Sequence, residues 1–189
     1  NIARGIEQPA NARDLKRIIG GDDVPPGGFP SCVCIGTATQ WKCTGAVVAP
    51  RVVLTAAHCG GAITRVMIGG NAVTPFVDTD GRVVAVRKVE VHPAYRREPL
   101  HENDISLLIL ADDANVPPVK LGTAEQLRAA LDIQLVGFGY NDPERPLGFG
   151  VKRQVVVPMA PIIGVDGDAD LSALEQLLAC VRQGPALSR

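Results

Sequence analysis

The sequence predicts an all-β protein. Short runs rich in valine, isoleucine and leucine recur at short intervals and are separated by glycine, proline and aspartate. This pattern is typical of an antiparallel sandwich or barrel, not of alternating strands and helices. An apolar share of 46% and a charged share of 21% suit a folded core. The longest apolar runs, such as 105–111, fall well below the roughly 18 residues of a membrane span, which argues against a membrane-spanning segment.

The first half of the chain contains six predicted strands. They lie at 32–35, 44–48, 51–55, 65–68, 82–91 and 104–110. The stretch 112–120 breaks the pattern, because it carries the adjacent prolines Pro117 and Pro118, and this predicts a connection between two halves. Residues 1–17 are polar, mixed in charge and without strand or helix periodicity, which indicates a segment outside the fold.

The second half carries fewer regular signals. Strands are predicted at 134–137 and 152–157, with the turn-rich stretch 139–150 between them. A short helix is predicted near the C-terminus, where four leucines recur at helical spacing: Leu171, Leu174, Leu177 and Leu178. Ser172 and Glu175 form a capping-box pattern at its start.

The net charge and the cysteine content limit which binding partners and which cellular compartment are expected. The net charge is -1, with both signs spread through the chain, so neither nucleic acid nor an anionic membrane surface is expected as a partner. Five cysteines indicate an oxidising compartment and predict a secreted or periplasmic protein. A zinc site is disfavoured, because Cys32 and Cys34 are spaced too tightly and the chain has only three histidines. The chain begins with Asn1 and shows no signal peptide pattern, so we expect a leader to have been removed or omitted.

Three motifs together resemble the trypsin-like serine endopeptidases of the chymotrypsin fold (S1 type). They are Thr55-Ala56-Ala57-His58-Cys59 after an apolar strand, Ile18-Ile19-Gly20-Gly21 after Arg17, and Asn103-Asp104-Ile105-Ser106-Leu107-Leu108. The resemblance implies two antiparallel six-stranded β-barrels with the catalytic groups in the cleft between them. We accordingly divide the chain into a propeptide (1–17), a first barrel with His58 and Asp104 (18–115), a linker (116–121) and a partial second barrel (122–189).

The resemblance also implies roles for two side chains. A serine hydroxyl is too weakly acidic to attack an amide unaided, so an imidazole must accept its proton, and a carboxylate must hold that imidazole in one tautomer. His58 is the predicted base and Asp104 the predicted carboxylate. Taken from composition alone, His58 would more often be a structural histidine and Asp104 a cap at the start of a strand. His92 matches a structural feature of the family, and His101 is expected in a surface loop.

The cysteines are assigned in part by the same resemblance. A Cys43–Cys59 bridge would close a loop of about 16 residues and stabilise the fold by roughly 3 kcal/mol; two free buried thiols are the alternative in a reducing compartment. Cys180 resembles a cysteine whose usual partner lies beyond Arg189. Cys32 and Cys34 have no counterpart in the family pattern, so one is open to pairing with Cys180 and the other with a separate chain.

The junction between Arg17 and Ile18 is the predicted activation site. In trypsin-like zymogens, cleavage at this point frees an ammonium that folds inward and organises the active site. Because residues 1–17 are continuous with Ile18, the chain resembles an uncleaved zymogen that requires an activating protease. The alternative is an ordinary β-strand preceded by a basic tail.

The nucleophile of the predicted triad is missing from the sequence. No Gly-Asp-Ser-Gly-Gly motif occurs, and the only serines are Ser31, Ser106, Ser172 and Ser188. None of them lies in a glycine-flanked tight turn. We therefore expect this chain alone to be inactive on its protein or peptide substrate, and we expect a C-terminal fragment of the same precursor to carry the serine. A break after Arg189 would suit a protease that cuts after Arg or Lys. The alternative is a pseudoprotease that acts as a binding module.

No metal or other cofactor is required by this chemistry. The acidic clusters 78–81 and 166–170 each resemble part of a calcium loop, but neither completes an EF-hand, since Leu171 and Leu177 stand where glycine and glutamate are needed. Solvated turns and a helix N-terminus explain both clusters. Calcium binding is left as an alternative.

Overall fold

The computed structural model describes residues 21–72, 79–98, 102–140 and 148–158. These ranges contain nine strands, one 3-10 helix and one α-helix. In chain order they are β1 Asp22–Asp23, β2 Cys32–Gly36, β3 Trp41–Ala49, β4 Val52–Thr55, the 3-10 helix Ala57–Cys59, β5 Arg65–Ile68, β6 Arg82–Val91, β7 Ser106–Leu110, α1 Ala124–Ala129, β8 Asp132–Gly137 and β9 Arg153–Pro158. The predicted all-β class is confirmed, and all eight predicted strands are present with bounds shifted by at most a few residues.

Six strands close into an antiparallel barrel in the order β2-β3-β4-β7-β6-β5. Successive side chains of each strand point alternately into the barrel and away from it. Val33 and Ile35 of β2 face the core, while Cys34 between them faces the opposite side. Gly45 of β3 sits where β3 and β4 approach closely, since a Cβ there would lie 2.6 Å from the side chain of Val53. Twelve buried residues form this core: Val33, Ile35, Val47, Val53, Cys59, Ile63, Val66, Ile68, Val84, Leu108, Leu110 and Ala114.

A second, three-stranded antiparallel sheet follows in the order β1-β9-β8. The first of its strands comes from the start of the described chain, with Asp22 opposite Gln154. A second apolar cluster joins this sheet to the outer face of the barrel; its buried members are Cys34, Trp41, Met67, Ala72 and Phe138. The two halves therefore pack through side chains that the barrel strands direct outward.

Helix α1 was not predicted from the sequence. It begins at a capping box, in which the Thr123 hydroxyl accepts a hydrogen bond from the Gln126 amide at 3.1 Å and the Gln126 side chain accepts one from the Thr123 amide at 2.9 Å. The pattern of Thr and Gln three residues apart is a sequence signal for a helix start. The helix has only six residues, too few for an apolar stripe to show.

Several sequence predictions lie outside the described residues. They are the propeptide 1–17, the Arg17–Ile18 junction, His101, Cys180 and the helix near the C-terminus. The division into domains at 115, 121 and 122 stays a prediction. Among the described helices, none is long and apolar enough to cross a membrane.

The thiols of Cys32 and Cys34 should make stability fall at alkaline pH. Burial raises the pKa of Cys32 from 9.0 to about 11 and that of Cys34 from 9.0 to about 12. Because the fold holds the neutral thiols, their contribution to stability is complete below about pH 9 and is lost as the pH rises through about 11 to 12. We expect urea unfolding between pH 9 and 11 to show a shallower loss of stability in the Cys32→Ala/Cys34→Ala variant than in the parent.

The control for this measurement is Val33→Ala. Val33 lies between the two cysteines on β2 and is fully buried, so its truncation destabilises the strand without removing a titrating group. Its pH dependence should follow that of the parent. Equal alkaline slopes in the parent and the double cysteine variant would contradict the prediction.

Candidate active site

His58 and Asp104 lie on neighbouring strand ends although they are 46 residues apart. Strands β4 and β7 are antiparallel neighbours, with Thr55 at the end of β4 opposite Ser106 at the start of β7. The residues that follow β4 and those that precede β7 therefore meet at one end of the barrel. The 3-10 helix Ala57–Cys59 carries His58 at this end. The sheet pairing brings the two predicted residues together.

The Asp104 carboxylate holds His58 at two points. One oxygen, Oδ2, lies 2.5 Å from the ring nitrogen Nδ1, and the other, Oδ1, accepts the backbone N–H of His58 at 2.7 Å. Because an ionised carboxylate can only accept hydrogen bonds, this contact favours the tautomer of the neutral ring that has its proton on Nδ1 and leaves Nε2 as the acceptor. The side chains are partly accessible, at 37% for His58 and 22% for Asp104.

The turn that carries Asp104 is fixed by its neighbours. Asn103 adopts a positive φ of 52°, a conformation that asparagine tolerates better than most residues. Its side-chain amide donates to the Ala94 carbonyl at 3.1 Å, and its own carbonyl accepts the Ile105 amide at 2.7 Å. The Ser106 hydroxyl donates to the carbonyl of Ala56 at 3.3 Å, which links this turn directly to the segment that carries His58.

The predicted disulfide between Cys43 and Cys59 is present. Cys43 lies on β3 and Cys59 ends the 3-10 helix, so the bridge ties the residue next to His58 to the barrel wall. Thr55 supports the same turn, since its hydroxyl donates to the Thr44 carbonyl at 2.9 Å. The sulfurs of both cysteines lie within 4.8 Å of a ring nitrogen of His58, but a disulfide has no thiolate to offer a metal ion.

His58 borders a cleft with a cavity volume of about 500 Å³. The barrel supplies one wall, including Trp41, and the second half supplies the other, including Tyr140 and Phe149, whose ring centroids are 5.4 Å apart. The walls are joined where the Phe138 amide donates to the Thr44 hydroxyl at 3.0 Å. Apolar walls with an imidazole at the rim give this cleft the character of a ligand-binding site.

The sequence did not point to these wall residues. Trp41, Tyr140 and Phe149 come from three separate segments, and only the packing of the second half on the barrel brings them to one cleft. By contrast, His92 is buried and its Nδ1 accepts the Ala94 amide at 3.2 Å, an arrangement that suits the structural role expected for it. Ser106 is also buried and hydrogen-bonded to the backbone.

The closed six-stranded barrel, the second antiparallel sheet and the His–Asp pair at the cleft define the class of chymotrypsin-fold serine proteases. The chain belongs to the Trypsin family, because the family model described as Trypsin matches residues 18–161. This match confirms the family that the three sequence motifs indicated.

Curated human proteases show the same relationship. The chain is 29% identical to transmembrane protease serine 5 of Homo sapiens over 78% of its own length and 35% of the relative. It is 33% identical to human cathepsin G over 65% of its length and 50% of the relative. For human kallikrein-14 the identity is 31%, over 59% of the chain and 42% of the relative. The chain thus spans between about a third and half of the length of these relatives.

A solved structure described as "Structure of GrC" has a similar fold. It superposes with a TM-score of 0.61 at 26% sequence identity, covering 75% of this chain and 65% of the other.

Proposed function

We propose that the protein is the precursor of a serine endopeptidase in which His58 is the general base and Asp104 orients it. The observation that carries this proposal is that the Asp104 carboxylate contacts His58 at two positions. One oxygen lies 2.5 Å from the ring nitrogen Nδ1, and the other accepts a hydrogen bond from the backbone amide at 2.7 Å. A carboxylate used only as a strand cap would need no contact with the imidazole. Membership of the Trypsin family supports the same reaction class.

The reaction that this pair supports is acyl transfer in two steps. A serine hydroxyl attacks the carbonyl carbon of the substrate while Nε2 of His58 takes its proton, and the imidazolium then returns that proton to the leaving amine. In the second step a water molecule attacks the acyl-enzyme with the same help from His58, and the carboxylic acid product is released. Asp104 keeps Nδ1 protonated throughout and stabilises the imidazolium. These roles follow the general Ser-His-Asp template, which is itself drawn from this family.

The proposal assigns the serine to polypeptide outside these 189 residues, as a C-terminal fragment of the same precursor. The open edge of the second sheet at β8 supports a further covering segment. Strand β8 pairs only with β9 among the described strands. Leu135 of β8 is 44% exposed and Val156 of β9 is 61% exposed. An open edge with apolar neighbours normally acquires a partner strand or a cover.

The proposal includes activation by cleavage between Arg17 and Ile18 by another protease. The chain is anchored from Asp22 onward, since β1 pairs with β9 and Asp23 forms an ion pair with Arg153 at 3.0 Å. Cleavage would therefore free a short arm tethered to the second sheet. The disulfide supports an oxidising location, either secreted or periplasmic. A preference for substrates cut after Arg or Lys is part of the proposal.

Active-site labelling of the complete precursor, expressed in its natural source, tests this function. The protein is treated with a basic-specific protease and then with a biotinylated fluorophosphonate, which reacts only with an assembled catalytic serine. We expect label after cleavage, on a peptide outside residues 1–189. Arg17→Gln should prevent activation, whereas Arg13→Gln, which changes another arginine of the same segment, should not.

A pseudoprotease that acts as a binding module is the alternative function. It predicts no label and no peptidase activity from an intact protein correctly cleaved before Ile18. Label on Ser31, Ser106, Ser172 or Ser188 would also contradict the proposal, because it would place the nucleophile inside this chain.

A further inference from the structure

Three sulfur-bearing side chains lie together on the outer face of the barrel. Cys32 and Cys34 are two residues apart on β2, so their side chains lie on the same face of the strand. Cys34 is the direct cross-strand partner of Met67 on β5, which places those two side chains next to each other on that face. We call Cys32, Cys34 and Met67 the sulfur cluster.

The sulfur cluster is buried between the barrel and the second sheet. Cys34 and Met67 are fully buried, and both pack in the apolar cluster with Trp41 and Phe138. Cys32 packs against the same cluster but is only half-buried, which leaves a way in from solvent. Neither cysteine forms a disulfide with another described residue. Within the part of the chain that the structure describes, both sulfurs are therefore available as potential ligands.

Two cations flank the cysteines. The Lys152 ammonium donates to the carbonyl of Phe29 at 3.0 Å, and the same carbonyl accepts the Cys32 amide at 3.0 Å. The Lys152 ammonium and the Cys32 backbone amide thus share one acceptor, and the positive charge of Lys152 lowers the pKa of the Cys32 thiol against the larger effect of burial. Arg65, whose guanidinium lies 4.4 Å from the centre of the Trp41 ring, acts in the same direction on the pKa of Cys34.

We propose that Cys32, Cys34 and Met67 bind a soft monovalent metal ion of the copper(I) class. Thiolate and thioether sulfur are the ligands that select copper(I). Zinc fits less well, because a structural zinc site takes four protein ligands in a tetrahedron and the sulfur cluster supplies three. The Thr79 hydroxyl contacts the Met67 sulfur, and a thioether sulfur has a second lone pair for the metal. This site stands independently of the proposed protease activity.

Binding releases two protons and involves no change of oxidation state. Each thiol exchanges its S–H bond for an S–Cu bond, and both protons pass to the solvent. Two thiolates and one Cu⁺ leave a charge of -1 in the site, which Lys152 and Arg65 offset. Because binding releases these protons, the apparent affinity should rise with pH.

Tryptophan fluorescence gives a direct test, because Trp41 is the only tryptophan in the chain and packs against Cys34 and Met67. The full chain is titrated anaerobically with copper(I) acetonitrile complex in the presence of a chromophoric copper(I) chelator. We expect one equivalent to bind and to quench Trp41. Cys32→Ala and Cys34→Ala should each weaken binding by at least about tenfold, and Met67→Leu by less.

Two controls separate this site from other thiols. Val33→Ala changes the opposite face of the same strand and should bind like the parent, and so should Cys180→Ala. If a cysteine variant of the cluster fails to fold, alkylation mapping of the parent decides: copper(I) should protect Cys32 and Cys34 from iodoacetamide. The proposal is overturned if copper(I) binds without quenching Trp41, if Cys180→Ala abolishes binding, if zinc binds as tightly, or if the two thiols stay unprotected.

Discussion

Replacing Asp104 with asparagine should lower kcat/KM of the activated protein on a peptide substrate by about 10⁴-fold, the size of this effect in the general Ser-His-Asp template. An amide can donate as well as accept, so its NH₂ group can face Nδ1 of His58 and turn that nitrogen into an acceptor. The proton then moves to Nε2, which can no longer take the proton of serine. The measurement is steady-state kinetics after cleavage at Arg17, with stability followed separately by thermal unfolding.

A matched control is Asp113→Asn. Asp113 also pairs with a cation on the same barrel, through Arg51 at 2.6 Å, but both side chains are about half exposed and the pair lies away from His58. Exposed pairs of this kind contribute little, so its kinetics should match the parent. The loss of activity in His58→Ala should equal the loss in the His58→Ala/Asp104→Asn double variant, because the two residues act as a unit. Additive losses, or a loss below tenfold for Asp104→Asn, would contradict the assigned roles.

Removing the Cys43–Cys59 disulfide should lower the free energy of unfolding by about 3 kcal/mol in the chain-entropy model. The bridge spans a sequence separation of 16 residues, and without it the unfolded chain gains conformational freedom. The variant to test is Cys43→Ala/Cys59→Ala, which removes both sulfurs of the bridge and so leaves neither cysteine of the pair as an unpaired thiol. The melting temperature should fall by about 6–12 °C, since 1 kcal/mol corresponds to roughly 2–4 °C at this size.

A second measurement separates the loss of the cross-link from the loss of packing. Without the disulfide the unfolded state is more expanded, so the dependence of stability on urea should become steeper. Cys34→Ala truncates a buried thiol that forms no disulfide with another described residue, so it should lower stability without changing that slope. A double variant with an unchanged slope and a loss below about 1 kcal/mol would contradict this role for the bridge.

The strands were predictable because their signals are local. The predicted runs 65–68 and 82–91 coincide with β5 and β6, since alternating or continuous apolar residues bounded by turn formers suffice to define them. Helix α1 was missed because six residues are too few to show helical periodicity. The Thr123–Gln126 capping pair was its one sequence signal. The Cys43–Cys59 bridge was predicted from the family resemblance, and the pairing of strand ends explains its geometry.

The sequence by itself determined the protein's class, through His58 in its pentapeptide, Asp104 at the start of an apolar strand, and strands long enough for a barrel. The tertiary structure alone decided which side chains share the cleft and the sulfur cluster. The physical reason is that a strand's side chains alternate between two faces, and local sequence does not say what each face will meet. Only closure of the barrel and docking of the second sheet bring Trp41, Phe149 and Cys34 into their common surroundings.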